Sequence, residues 1–352
     1  MVDAICKELD LRAHELQETI ETIYFGGGTP SVLSPIELEQ IFSCINKNFK
    51  VSKQAEISLE ANPDDLTTEV LKKLYDSPIN RLSIGVQSFF EEDLVAMNRS
   101  HNHFQAHQCI EDSQSIGFHN FSIDLIYGLT SSNLSKWEEN LEKVFNYQIP
   151  HLSCYALTVE EKTALAHFIE KGKMQGPREE EAAEQFQHLA KASKAQGYEH
   201  YEISNLAKDK KYSKHNTAYW QGKKYLGVGP AAHSYDGESR KWNVAHNPNY
   251  LKYINAWKNE TEKNLEGHLY DIEKLTEEDR YNEYIMTSLR TIWGIDERHL
   301  QNNFNARLLE HFETSAQSHI QKGSLIKKEG KYLIEAAQRF FADGIASDLF
   351  WT

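Results

Sequence analysis

The chain has 352 residues and carries 52 acidic against 38 basic side chains, so its formal charge is −14 with histidine neutral. This charge disfavours broad contact with nucleic acid or an anionic membrane, and neither is expected as a partner. The 40% hydrophobic content is enough for a core, and the length predicts two or three domains. The sequence has neither a signal peptide nor an apolar run of about 18 residues, which favours a soluble cytoplasmic protein.

The four cysteines, Cys6, Cys44, Cys109 and Cys154, lie far apart in the sequence. Zinc sites, redox motifs and iron–sulfur loops use closely spaced cysteines, and no pair has such spacing in this chain. Disulfides are typical of secreted proteins. The sequence therefore predicts four buried thiols and no cluster-binding motif within these residues.

The first half of the chain repeats a short β-rich apolar run, a turn and an amphipathic helical stretch. Successive runs start about 30 residues apart, the length of a β-α-β unit, which predicts a parallel sheet. The runs are residues 22–25, 56–59, 81–86, 121–127 and 151–157. Three of the intervening helices are expected to start at Ser34, at Asp64-Asp65 and at Ser135.

The chain opens with an amphipathic helix, in which Ile5, Leu9, Leu16 and Ile20 share one face. No strand precedes this helix, although a β/α barrel is expected to begin with one. The order of elements therefore indicates a partial barrel whose first strand is missing.

The repeated pattern of β-rich run, turn and helical stretch ends near residue 165. The middle of the chain carries a long charged helix at 178–196 and an aromatic, glycine-containing stretch at 212–242. Three modules are predicted: a partial barrel at 1–165, a mixed α/β module with barrel-capping elements at 166–265, and a helical module at 266–352.

The last module is mainly helical and closes with two short β-like runs, at 325–328 and 332–335, and a helix at 338–350. Helix, hairpin and helix in this order predict a winged-helix-like end. On an acidic chain, such an end favours packing or protein contact over DNA binding.

Polar or glycine-rich segments occur near the ends of four predicted strands, where barrels place their functional groups. These segments are Gly-Gly-Gly-Thr-Pro at 26–30, Glu60-Ala-Asn-Pro, Gly85-Val-Gln87-Ser and the run that contains Asp124, with Arg99 between the last two. A buried charge needs a partner, because leaving it unpaired costs several kcal/mol. Two explanations remain open, an internal ion pair such as Glu60 with Arg99, or a polar ligand shared by all of these groups. Their common location favours the ligand.

These segments resemble, in order, the motifs of the radical S-adenosylmethionine (SAM) family that contains oxygen-independent coproporphyrinogen III oxidase and the HemW haem chaperones. The matching stretches are residues 23–31, 57–63, 81–89 and 123–129. The resemblance implies a partial (β/α)6 barrel, related to the TIM barrel, that binds SAM at its strand ends. The implied SAM residues are Gly27, Gly28 and Thr29 at the methionine end, and Glu60, Gln87, Arg99 and Asp124 in the rest of the pocket. SAM carries an ammonium, a carboxylate, a sulfonium and a ribose diol, which acids, an arginine and open backbone groups suit.

A second motif, His-Asn-Thr-Ala-Tyr-Trp at 215–220, resembles the HNxxYW signature of the HemW branch, which the oxidase branch is not expected to carry. The resemblance implies haem binding by His215, Asn216, Tyr219 and Trp220, with His215 as the iron ligand. An imidazole beside two large rings also suits an axial ligand with a stacking wall. A histidine satisfied within an aromatic core is the commoner situation, but the six-residue match favours the ligand. His233, near a glycine-rich turn, is a second candidate for haem contact.

Radical SAM proteins hold a [4Fe–4S] cluster in a CxxxCxxC loop just after the first strand. Neither that strand nor that loop occurs in these residues. The resemblance therefore implies a haem chaperone that binds haem and SAM, delivers haem to respiratory haem proteins and carries its cluster in a full-length form only. Any membrane association is expected to run through partner proteins, and the oligomeric state stays open.

Two alternatives stay open beside the chaperone. One is an oxygen-independent coproporphyrinogen III oxidase-like radical SAM enzyme of porphyrin biosynthesis, inactive in this truncated form. No oxidase activity is expected of these residues, because reductive cleavage of SAM needs the cluster. The other is a natural cluster-free protein that kept the SAM fold for binding alone.

Sequencing the DNA upstream of Met1 separates truncation from natural loss. Because the chain begins at what resembles the first helix of a barrel, we expect an in-frame CxxxCxxC motif within the preceding codons. A stop codon directly upstream, with no such motif after it, would contradict this expectation and favour the cluster-free alternative.

Overall fold

The computed structural model describes residues 1–160, 163–172, 175–257 and 265–352, which form two compact units. The terminal unit consists of Met1–Ile23, Leu33–Ala55 and Lys214–Thr352. The barrel unit consists of Tyr24–Val32 and Glu56–Ser213. The division into three modules at residues 165 and 265 stays a prediction.

Helices and strands alternate through the first half of the chain. The helices are α1 (Val2–Leu11), α2 (Pro35–Asn48), α3 (Thr68–Tyr75), α4 (Glu91–Ala96), α5 (His103–Ile116), α6 (Leu134–Asn146), α7 (Ala164–Glu170), α8 (Glu179–Ala195), α9 (Lys214–Trp220), α10 (Asn247–Ala256), α11 (Glu277–Leu289), α12 (Glu297–Asn303), α13 (Ala306–Lys322) and α14 (Ala342–Ser347). The strands are β1 (Ile20–Phe25), β2 (Val51–Ala61), β3 (Arg81–Gln87), β4 (Phe121–Tyr127), β5 (His151–Ala156), β6 (Glu199–Glu202), β7 (Asn205–Ala207), β8 (His233–Tyr235), β9 (Ser239–Asn243), β10 (Tyr270–Lys274), β11 (Ile295–Asp296), β12 (Leu325–Lys328) and β13 (Lys331–Ile334). Among the residues that the structure describes, no helix is both long and apolar enough to cross a membrane.

The largest sheet is curled into a half-barrel with the strand order β1-β2-β3-β4-β5-β7-β6. Strands β2 to β5 are parallel, and β7 and β6 continue the sheet in antiparallel pairing. The five strands predicted from the sequence are confirmed, although β2 begins at Val51 rather than at residue 56. This arrangement agrees with the predicted partial barrel.

Side chains of β2 to β5 alternate between an apolar and a polar face, as the two-residue period of a strand requires. The apolar face carries Leu59, Leu82, Ile84, Ile123, Leu125 and Leu152, all fully buried. On the polar face, Glu60 is in register with Ser83, and Asp124 is in register with Ser153. The strand pattern therefore places the candidate acids Glu60 and Asp124 on the same face of the sheet.

The predicted helix starts are right in one of three cases. Ser34 begins α2 with a capping box, as expected. The starts at Asp64-Asp65 and Ser135 are wrong, because α3 is capped by Thr67 and α6 by Asn133. In each case a second residue able to cap lies two positions away, and hydrophobic periodicity does not distinguish the two.

The terminal unit contains two further three-stranded sheets, β10-β9-β8 and β11-β13-β12. Helix α11, strand β11, helices α12 and α13, and the β12–β13 hairpin follow one another in the order of a winged helix, in agreement with the prediction for this end. The predicted closing helix at 338–350 is divided into a 3-10 helix, Ala336–Phe341, and α14.

A buried arginine anchors the N-terminal helix of the terminal unit. The guanidinium of Arg12 donates to Glu8 at 2.7 Å and twice to Glu15 at 2.8 Å. It also donates to the carbonyl of Gly227 at 2.8 Å and to the hydroxyl of Ser234 at 2.9 Å. These five bonds match the five N–H donors of an arginine, so the buried charge is fully satisfied.

The carboxylate of Glu8, which is also fully buried, completes this network. Besides Arg12, it accepts hydrogen bonds from the amide of Asn243 at 2.7 Å, the backbone N–H of Gly229 at 2.9 Å and the hydroxyl of Tyr250 at 2.6 Å. The pair therefore joins α1 to the 227–229 loop, to β9 and to α10.

Replacing Arg12→Met should lower the free energy of unfolding by about 3–5 kcal/mol, because it leaves the Glu8 carboxylate buried without its charge partner. Urea denaturation measures the loss. The matched control is Lys47→Met, which removes the exposed pair with Asp10 and should cost less than about 1 kcal/mol. Equal losses in the two variants would contradict the structural role of Arg12.

Candidate functional site

The glycine turn after β1 is held by an acid on the neighbouring strand. The carboxylate of Glu60, at the end of β2, accepts a hydrogen bond from the backbone N–H of Gly27 at 3.0 Å. Its other oxygen accepts from the hydroxyl of Tyr24 at 2.7 Å. Burial, and then the Glu60 charge, raise the pKa of Tyr24, which therefore stays a neutral donor.

The turn itself is open to a ligand. Gly27 and Gly28 have φ angles of 74° and 64°, which favour glycine, and no atom lies within 4 Å of where their Cβ atoms would be. Both residues and Thr29 are exposed. A 3-10 helix, Pro30–Val32, follows directly. The turn thus offers backbone groups to a bound molecule without side chains in the way.

Asp124 of β4 is the most perturbed acid of this region. Burial, and then the nearby charge of Glu60, raise its pKa to about 7, while hydrogen bonds from Ser153 and Ser83 act in the opposite direction. The hydroxyl of Ser83 lies 3.5 Å from Oδ1 of Asp124. A carboxyl group that is half-protonated near neutral pH responds strongly to a cationic ligand.

Arg99 lies over the end of β3. It donates a hydrogen bond to Oδ1 of Asn62 at 2.7 Å, and its Nη2 is 3.4 Å from the carbonyl of Gly85. The alternative ion pair between Glu60 and Arg99 is wrong, since the two side chains bind different partners. Neither Asn62 nor Gly85 was a candidate from the sequence.

Gln87 closes the end of β3 in an unusual conformation. Its φ of 64° is rare for a residue with a side chain, and the pairing of β3 with β4 shifts register between Ile84 and Gln87. Such backbone strain tends to occur at functional sites. The amide of Gln87 lies beside the position that a Cβ on Gly85 would take, as does the guanidinium of Arg99.

The structure thus brings the candidate SAM residues of the barrel unit to neighbouring strands, with Glu60 and Gln87 at strand ends and Asp124 in the middle of β4. Gly27 contacts Glu60, the Glu60 charge acts on Asp124, and Gln87 lies near Arg99. Open backbone groups, two acids, an amide and an arginine can together bind a molecule that has both a cationic and an anionic group. The roles of the individual residues remain predictions.

The aromatic motif of the terminal unit forms the short helix α9. His215 is half-buried, and its Nδ1 lies 3.0 Å from the hydroxyl of Thr22. Burial lowers the pKa of His215 to about 4, so the imidazole is neutral at pH 7, the form that binds a metal. The ring of Tyr219 meets it edge to face, with centroids 4.9 Å apart.

The other residues of the motif extend this surface. Tyr219 packs against Tyr225 at a centroid distance of 4.5 Å, and the guanidinium of Arg290 lies 5.1 Å from the centre of the Trp220 ring. Asn216 is half-buried. The indole Nε1 of Trp220 is buried and has no hydrogen-bond partner among the residues that the structure describes. A buried donor without a partner suits a ligand that carries a polar acceptor.

The cysteines do not form a site for an iron–sulfur cluster. They lie on α1, α2, α5 and β5, and no group of three or more metal-ligating side chains occurs within the described ranges. Burial raises the pKa of Cys6 and of Cys109 to about 12, and it also raises that of Cys154. The prediction of buried thiols is confirmed for these three, whereas Cys44 is half-buried. No chemistry of a cluster is assigned to these residues.

Comparison with known proteins identifies the family. The model of the radical SAM superfamily matches residues 4–144, and that of the HemN C-terminal domain matches residues 275–336. The haem chaperone HemW of Bacillus subtilis is 34% identical over 315 residues, which cover 89% of this chain and 81% of the relative. The chain belongs to the HemW family of radical SAM proteins. HemW of Lactococcus lactis is 33% identical and covers 86% of this chain and 78% of its own length.

Among solved structures, the chain resembles coproporphyrinogen III oxidase (HemN) of Escherichia coli, a radical SAM enzyme. The TM-score is 0.81, and the match covers 99% of this chain and 82% of that enzyme. At 21% identity, this likeness supports the fold alone. The predicted radical SAM resemblance and half-barrel are therefore confirmed for this member of the HemW family.

Asp124 should titrate near pH 7 in the folded protein, as measured by NMR of its carboxyl carbon. An unfolded Asp titrates near about pH 3.9, so the native state binds more protons between these values. Relative to Asp124→Asn, the wild type should lose stability as the pH rises from about 4 to about 7. A midpoint below about 5 would show that the acid is solvated and not perturbed.

Proposed function

We propose that this chain is a haem chaperone that binds haem through α9 and SAM through the strand ends of the barrel unit. The observation that carries the proposal is the state of His215, a neutral imidazole oriented by Thr22 and flanked by the ring of Tyr219. The names of the relatives, haem chaperones, agree with it.

His215 would hold haem iron through its Nε2. The contact between Nδ1 and the Thr22 hydroxyl fixes the plane of the ring, which is how a second hydrogen bond normally orients a metal-ligating histidine. Tyr219 and Trp220 would pack against the porphyrin, and Asn216 and the indole N–H could bind its polar edge. Haem iron accepts a histidine nitrogen as a ligand, so His215 would fit the group.

The SAM residues fit their ligand for a different reason. Arg99 carries the positive charge that a carboxylate requires, whereas Glu60 and Asp124 suit an ammonium or a ribose diol. The glycine turn at Gly27 and Gly28 would let the backbone approach the methionine end. When bound, SAM would supply a sulfonium cation, which the carboxylates of Glu60 and Asp124 would stabilise.

The oxidase-like alternative gains no support from the residues of this chain. Its chemistry requires a cluster next to SAM, and no group of three or more metal-ligating side chains occurs among the described residues. The likeness to the E. coli enzyme is one of fold. Delivery of haem to respiratory haem proteins, and a cytoplasmic location, belong to the proposal.

Haem titration followed by the Soret band tests the role of His215. His215→Ala should lower haem affinity at least about tenfold and shift the band, because the axial nitrogen is lost. His188→Ala is the matched control, since His188 lies on α8 in the barrel unit and pairs with Glu138. Equal affinity and an unchanged spectrum in His215→Ala would remove this residue from the haem site.

A further inference from the structure

Three polar side-chain ends meet above the backbone of β3. A Cβ placed on Gly85 would lie 2.9 Å from Nε2 of Gln87, 3.3 Å from Nη2 of Arg99 and 3.7 Å from Oδ1 of Asn62. Real Cβ atoms essentially never approach another atom closer than 3.0 Å. An added Cβ would therefore displace the amide of Gln87 and press on the guanidinium of Arg99, whereas its contact with Asn62 would be an ordinary one.

Asn62 provides the shorter of the two contacts that fix the Arg99 guanidinium. Its Oδ1 accepts from Nη2 at 2.7 Å, and the carbonyl of Gly85 is 3.4 Å from the same nitrogen. Both side chains are half-buried. An unrestrained arginine samples many rotamers, so a single strong acceptor at a fixed place selects one orientation.

The direction of this contact leaves the rest of the guanidinium for a ligand. Within the described part of the chain, the hydrogen bonds of Arg99 all use Nη2. A guanidinium offers a carboxylate two forks, Nη1 with Nη2 and Nε with Nη2. Because Nη2 carries two N–H groups, one can bind Asn62 while the other completes a fork for a ligand. SAM has one carboxylate, on its methionine end.

We propose that Asn62 and Gly85 are positioning residues that aim Arg99 at the carboxylate of SAM. Asn62 acts as the acceptor, and Gly85 provides the space in which the guanidinium lies on the strand. This inference rests on the proposed function, in which Arg99 belongs to the SAM site. It predicts that substituting either residue weakens binding of the carboxylate of SAM and leaves binding of the adenosine end unchanged.

Calorimetric titration with SAM and with decarboxylated SAM separates positioning from a merely structural role. Asn62→Leu, Gly85→Ala and Arg99→Ala should each weaken SAM binding about tenfold and change the affinity for decarboxylated SAM less than about twofold. The matched control is Asn120→Leu, because Oδ1 of Asn120 accepts from Arg81 at 2.7 Å near the start of β3. It should alter neither affinity.

The double variant Arg99→Ala/Asn62→Leu tests whether Asn62 affects SAM binding only through Arg99. Its affinity for SAM should equal that of Arg99→Ala, because Asn62 acts only through the arginine. If Asn62→Leu does not fold, Asn62→Asp retains the acceptor and should keep the preference for SAM over decarboxylated SAM.

Additive losses in the double variant, an equal loss for both ligands in Asn62→Leu, or loss of the preference in Asn62→Asp would overturn the inference. Each of these outcomes is compatible with SAM binding by the unaltered chain, so each would leave the proposed function in place. Failure of the unaltered chain to bind SAM would contradict the proposed function together with this inference.

Discussion

The carboxylate of Glu60 is the contact on which the candidate SAM site depends. It binds the Tyr24 hydroxyl and the Gly27 N–H, and it therefore joins the end of β2 to the turn that follows β1. The turn has positive φ angles that two glycines permit, and a charged acceptor on the next strand fixes it. The same charge contributes to the raised pKa of Asp124. One acid thus sets both the shape and the electrostatics of these strand ends.

In the terminal unit, the buried ion pair between Arg12 and Glu8 is the contact on which the surrounding structure depends. Arg12 binds the Gly227 carbonyl and Ser234, which fixes the start of β8 and the loop before it. Backbone hydrogen bonds of 2.9 Å in both directions then tie Tyr225 to Tyr235. Tyr225 packs on Tyr219, which in turn meets His215. The aromatic surface of α9 is therefore supported by a satisfied pair of buried charges.

Local patterns in the sequence were sufficient for the five strands of the first half of the chain. The structure places Glu60 and Asp124 on one face of the sheet, as the two-residue period of a strand requires, and the binding roles of the motif residues stay predictions. Helix starts failed where two capping residues compete, as at Thr67. The partners of a motif residue were not predictable, because Thr22 is 193 residues away from His215 in the sequence.

The partners of Arg99 could not be predicted either, although they lie closer to it in the sequence. A charge near the end of a strand needs a partner, and Glu60 was a reasonable choice from charge alone. The structure instead uses Asn62, a neutral acceptor, and Gly85, which contributes its backbone carbonyl and the lack of a side chain. Neither property is visible in composition or periodicity, since both depend on how β2, β3 and the segment after α4 meet in space.

In the proposed function, one chain binds SAM and haem through two sets of residues that share no member. Native mass spectrometry at saturating concentrations of both ligands should therefore detect a species that contains one chain, one SAM and one haem. Singly loaded species alone, with haem displacing SAM, would show that the two ligands compete and would rule out simultaneous binding.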